Sequence, residues 1–239
     1  MKRRISSLTV LALALGAVCH AQPDPYPHMA PLEQYLMPDR QTEIALARTA
    51  APPAISTDAT VLVLTRRGYE TAVKGKNGFV CYVDRAWSAP FVEPGFWNPK
   101  VRSPVCLSPQ AARSVLAIHH RRTELALAGL SKTDIMTRMR VAIEAKEFGS
   151  PEIGAMSYMM SKEQYLSDRD GHWHPHVMFY LPGAMKSTDW GANLPKSPIL
   201  GSPERMPDGT PEPVIIYVVT VSHWSDGTEA SGNHQPASR

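Results

Sequence analysis

The chain has 239 residues, 43% of them apolar and 20% charged, with 25 Lys and Arg against 22 Asp and Glu. That is enough apolar material to bury a sizeable core, and it lacks the strongly basic balance that marks a nucleic-acid binder. No stretch approaches the run of about 20 apolar residues that a membrane span needs.

The first 21 residues read as a secretory signal peptide: Lys2, Arg3 and Arg4, an apolar run from Leu8 to Val18, and a small residue at Ala21. Ser6 stands where twin-arginine export would place a bulky apolar residue, which favours the general secretory route. Cys19 follows Val18, a poor neighbour for a lipidated cysteine, and Cys19-His20-Ala21 suits ordinary cleavage better. This leader carries three of the cations and none of the anions, so the mature chain has a formal net charge of zero. A periplasmic or extracellular location is expected, with no nucleic-acid partner and no integral membrane segment. In that oxidising setting Cys81 and Cys106 are expected to pair, closing about 25 residues and stabilising the fold by roughly 3 to 4 kcal/mol. The alternative is two buried free thiols. A catalytic thiolate is disfavoured because Cys81 lies in an apolar strand pattern rather than at a helix start.

Residues 22–38 contain Pro23, Pro25, Pro27, Pro31 and Pro38 and read as an extended arm. A single domain is expected over 39–228, followed by a polar tail at 229–239. Asp39 is placed to cap a short helix that Pro52-Pro53 halts. Val61 to Leu64, Tyr69 to Lys74 and Phe79 to Asp84 predict a three-stranded antiparallel meander, with Asn77-Gly78 in a tight hairpin. Residues 86–107, rich in proline and aromatics, read as an irregular excursion held by the disulfide. Ser108-Pro109 opens a helical region that Gly129 breaks, and Ser131 with Asp134 resembles a capping box opening another helix. His119-His120-Arg121-Arg122 falls on this helical part as an ordinary solvated face. Extended segments return at Ala155 to Ser161, at Val177 to Leu181 and at Pro213 to Val221, the last expected beside the histidine strand. Residues 183–212 lack periodicity, and loops this long are often functional or mobile. The expected fold class is therefore α+β: a mainly antiparallel sheet of about six strands with a helical insertion between the third and fourth.

The segment Asp170 to Tyr180 carries His172, His174 and His176 at every second position. An extended chain points such residues to one face about 6.6 Å apart, so two imidazoles can bend toward one divalent ion. His223, with Asp170 or Asp226 as an oxygen ligand, is the candidate to complete the site. Zinc with an open position would acidify a bound water and make a secreted hydrolase. Copper is a lesser alternative, carried by Met156, Met159, Met160, Met178 and Met185 close in sequence to the histidines. Against both stands a structural reading, in which Pro175 restricts His174 and the imidazoles cap backbone groups in a tryptophan-packed turn. A reading without metal uses tryptophans in loops as platforms for sugar rings or peptides, with Trp173, Trp190, Trp224 and Asp226 as the ligand surface. No Gly-x-Ser-x-Gly elbow supports a serine hydrolase.

Gly154 to Ser161, Gly171 to Tyr180, Trp190 to Pro195 and Trp224 to Gly227 together resemble a family of uncharacterised secreted bacterial proteins. The resemblance extends over most of the mature length and implies export and one domain. It implies no activity, so no functional residue is carried over from it. The sequence thus supports two functions: a divalent-metal site of binding or hydrolytic use on His172, His174, His176 and His223, or a metal-free envelope or glycan-binding module using the tryptophan loops.

Overall fold

The computed structural model describes residues 24–183 and 186–230. The expected signal peptide at 1–21, Met185 and residues 231–239 of the expected polar tail lie outside the described residues. Eight strands form one mixed sheet in the order β2-β1-β3-β4-β5-β6-β8-β7. They are β1 (Thr60–Thr65), β2 (Gly68–Val73), β3 (Val80–Asp84), β4 (Ser103–Leu107), β5 (Met156–Met159), β6 (His176–Pro182), β7 (Ile199–Gly201) and β8 (Val214–Thr220). The α+β class stands, but the expectation of about six antiparallel strands is corrected to eight strands in a mixed sheet.

Two features of the sequence account for the difference. Strand β3 does not continue the β1–β2 hairpin; it crosses the end of β1 and pairs with it in parallel on the other side. The crossing is made at Gly75, where a Cβ would fall 2.2 Å from the Thr60 nitrogen, so only glycine lets the chain pass. Asn77 serves this crossover rather than a hairpin, donating from Nδ2 to the Ile55 carbonyl at 2.8 Å and accepting from Phe79 N–H at 3.0 Å. The second feature is β4, read from sequence as the end of an irregular excursion. It pairs antiparallel with β3, so the helical insertion falls between the fourth and fifth strands, not the third and fourth. Cys81 and Cys106 are directly opposite in that pairing and form the disulfide.

Helices α1 (Arg40–Arg48), α2 (Pro53–Ser56), α3 (Pro109–Ser114), α4 (Leu116–Leu127) and α5 (Lys132–Glu144) follow their capping residues. Asp39, Ser108 and Ser131 each accept an N–H from the first turn. The main core lies between one sheet face (Leu62, Leu64, Tyr82, Val105, Leu107, Met159, Tyr180, Val214) and α3 to α5. On the opposite face α1 packs over Val61, Val63, Cys81, Val83 and Cys106. Residues 24–38 are not a loose extension. They hold a short 3-10 turn at Leu32–Gln34 and a fully buried Tyr35, whose hydroxyl donates to the Trp97 carbonyl at 2.7 Å.

The solvated face expected for His119-His120-Arg121-Arg122 is also corrected, because Arg122 is buried and His119 nearly so. Arg122 donates to the Ser88 and Ala89 carbonyls and lies 4.2 Å over the Phe91 ring. Its burial pushes its pKa down to about 10. His119 Nδ1 sits 2.9 Å from Asp84, which also accepts from Ser88 Oγ at 2.5 Å. Burial drives the Asp84 pKa up, but the His119 charge and these hydrogen bonds outweigh it and hold the carboxyl low. The pair fastens α4 to β3.

Two substitutions test this architecture. Gly75→Ala forces a side chain into the β1 backbone and is expected to cost at least about 2 kcal/mol by urea denaturation, where a β2–β3 hairpin would tolerate alanine. Glu43→Ala leaves the buried Arg85 guanidinium without its counter-charge, and is expected to cost about 3 to 5 kcal/mol in the same assay, with Glu43→Gln costing less.

Candidate functional site: histidine corner and aromatic shelf

The regular strand begins only at His176, so His172 and His174 lie in the turn before it. Gly171 adopts φ +58° and closes a bridge with Ser167, its N–H donating to the Ser167 carbonyl at 2.8 Å. Asp170 is engaged there by Arg169, Nε to Oδ1 and Nη2 to Oδ2 both at 2.9 Å, and by Ser167 Oγ. The exposed His172 ring stands edge-on to Trp224 at 6.3 Å. His176 is 3% exposed and packs 4.9 Å from Trp173. Its Nδ1 lies 2.7 Å from the His174 carbonyl; a carbonyl only accepts, so Nδ1 carries the proton.

His223 is exposed, with Nδ1 2.8 Å from Ser222 Oγ. Asp226 caps its own turn through Thr228 and forms an ion pair with Lys162 at 2.8 Å. Among the described residues, no group of three or more His, Cys, Asp or Glu side chains is placed to hold a metal ion. The four candidate histidines thus share one corner of the sheet without converging. Of the methionines behind the copper reading, Met159 and Met160 are buried and Met178 packs on the main core, where thioethers fill irregular space.

The tryptophans divide by role. Trp87 and Trp97 are core residues. Trp173 and Trp224 are half-buried, each against a histidine. Trp190 is different: it is 48% exposed and lies nearly flat on Tyr217, ring centroids 5.5 Å apart at 29°. Tyr217 pairs directly with Phe179 across β6 and β8, so their side chains share a face, and Phe179 is 42% exposed. Phe179, Tyr217 and Trp190 form an aromatic shelf on the sheet face that α1 leaves open.

The loop presenting Trp190 is held at several points. Tyr217 hydroxyl donates to the Lys186 carbonyl at 3.1 Å, and Glu204 accepts from both the N–H and the hydroxyl of Ser187. Asn193 exchanges two hydrogen bonds with the Gly201 backbone. Strand β7, inside the segment read as aperiodic, docks on β8. Phe179 and Tyr217 were not singled out from sequence, because both faces of β6 and β8 are apolar and alternation cannot say which is uncovered. Comparison with protein-family models, with curated proteins and with solved structures returned no match for this chain.

Burial pushes the His176 pKa down to about 4. The folded protein keeps this ring neutral, while an unfolded chain protonates near the ordinary value of about 6.5. Stability is therefore whole above about pH 6.5 and falls as pH drops toward 4, by an amount on the order of 3 kcal/mol. His120, also shifted down by burial, adds to it in the same direction. Denaturant titrations between pH 4 and 7.5 are expected to show this slope, and His176→Gln, a neutral donor, is expected to flatten it.

Proposed function

We propose that the protein is exported and acts as a glycan-binding module of the cell envelope, gripping sugar rings on the exposed faces of Trp190 and Phe179, with the buried Tyr217 as the support beneath the indole. The observation that carries this is the half-exposed indole of Trp190, backed by Tyr217 and fixed on a tethered loop. The face of a pyranose bearing axial C–H groups is apolar, and a flat, preorganised aromatic surface binds it at little conformational cost. Lys186, Thr188 and Asp189, exposed in the turn that ends in Trp190, offer polar groups for the hydroxyls. Export is supported by the leader pattern and by the Cys81–Cys106 disulfide, which suits an oxidising compartment. Among the described residues no helix is long and apolar enough to cross a membrane. The resemblance to secreted bacterial proteins points the same way. In this reading the histidine corner is structural: His176 is buried against Trp173 and closes the turn before β6 through the His174 carbonyl.

The test is titration of the mature protein with soluble envelope-type oligosaccharides, followed by calorimetry and tryptophan fluorescence. Wild type is expected to bind saturably, and Trp190→Ala to weaken binding by about tenfold or more, the loss of a stacking contact worth at least about 1.4 kcal/mol. Phe179→Ala is expected to have a smaller effect, and His172→Ala none. Equal binding by wild type and Trp190→Ala would refute the shelf. Stoichiometric zinc in the purified protein, lost in His174→Ala and His176→Ala, would move the function to the histidine corner.

A further inference from the structure

A separate cavity of about 460 Å³ lies on the helical side of the sheet, between residues 27–32 and the turn joining α4 to α5. That volume is in the range of small-molecule sites, roughly 300 to 1,000 Å³. Its walls are mainly apolar, with Met29, Leu32, Trp97, Leu127 and Leu130, and Lys132 stands among them. The wall from the amino-terminal stretch is preformed. Ala30 N–H donates to the Tyr35 hydroxyl at 3.1 Å, and Tyr26 is tied through its own hydroxyl to Asp168 at 2.5 Å.

Lys132 is the odd member of this lining. It is half-buried, donates only to the Glu93 carbonyl at 3.3 Å, and lies 5.4 Å from the Phe96 ring. The charges of Asp24 and Glu93 act on it, although among the described residues neither carboxylate is in ion-pair contact with it. An ammonium carries three donors and gains most from an anion where water is scarce. Burial accordingly pushes its pKa down. A second cavity of similar volume also has Lys132 in its wall.

We propose that this cavity binds a small amphipathic carboxylate, its aliphatic body against Met29, Leu127 and Leu130 and its anionic head on Lys132. One ammonium lining an apolar trough, with the charges of Asp24 and Glu93 already acting on it, matches a monoanion with a hydrocarbon tail better than a polyanion or a sugar. The site is on the opposite sheet face from Trp190 and does not rest on the glycan reading.

Decanoate is the probe, titrated into the mature protein at pH 7.5 with calorimetry and Trp97 fluorescence as readouts. Saturable 1:1 binding is expected. Lys132→Met, which keeps the aliphatic stem, is expected to weaken it about tenfold or more, as loss of a charge-assisted hydrogen bond does. Decanol, with the same chain and no charge, is expected to bind weaker than decanoate by a similar factor. Leu130→Trp, filling the cavity, is expected to abolish binding, while Trp190→Ala leaves it unchanged. Failure of decanoate to saturate the folded wild type would overturn the proposal. So would equal binding of decanoate and decanol, or equal binding by wild type and a Lys132→Met protein of unchanged circular dichroism.

Discussion

The Glu43 carboxylate and the Arg85 guanidinium meet at 2.9 Å with almost no solvent on either side chain, and their hydrogen bonds reach four parts of the chain. Glu43 also accepts the Leu64 N–H from β1, and Arg85 donates to the carbonyls of Tyr35 and Val83. Helix α1, strands β1 and β3, and the amino-terminal stretch are therefore tied to one pair of charges. Taking both ions out of water costs several kcal/mol apiece, and the arrangement is tolerable only because the carboxylate and guanidinium spend their bonds on real partners. Tyr35, held from the Arg85 side, in turn positions Ala30 and hence one wall of the Lys132 cavity.

The aromatic shelf has an equally simple origin. A helix about 10 to 12 Å across covers two to three strands spaced about 4.8 Å apart. Helix α1 packs on β1, β3 and β4, which uses up that width. The same face of β6 and β8 is left to the loop after β6, which covers Tyr217 with Trp190 and Ala192 and leaves Phe179 beside them. Had the chain formed the meander that its hydrophobic pattern suggests, β2 rather than β1 would have been central and α1 would have had a different floor. The crossover at Gly75 therefore helps decide which part of the sheet stays open.

Much of the local structure was legible because it is encoded locally. Asp39, Ser108 and Ser131 cap the helices they precede, and Cys81 pairs with Cys106. The topology was not legible, because Asn77-Gly78 is compatible with a tight hairpin and with a crossover alike; what decides is the contact of Gly75 with Asp58 to Thr60, a tertiary event. Strand β4 was hidden by Pro104, which lowers strand propensity, although the neighbouring Cys106 already pointed at Cys81. Of the candidate site residues, Trp190 was named from sequence, whereas its partners Tyr217 and Phe179 were masked by strands apolar on both faces. Lys132 carries no sequence signal beyond its place at the start of α5; only residues 27–32, packed beside it, make it part of a cavity.

The histidine segment shows how a periodic pattern can mislead about backbone geometry. Alternation places side chains on one face only where the backbone is a continuous strand, and Gly171 and Pro175 prevent that here. Pro175 lacks an N–H, so the turn cannot close through a backbone donor at that position. The His174 carbonyl instead accepts a hydrogen bond from the His176 ring, which enters the strand buried against Trp173, and that burial keeps it neutral. A ring fixed in this way is a support for the β6 entrance, and its cost appears as sensitivity to acid. The exposed apolar surface of the protein lies elsewhere, where a flat indole rests on a tyrosine and faces solvent.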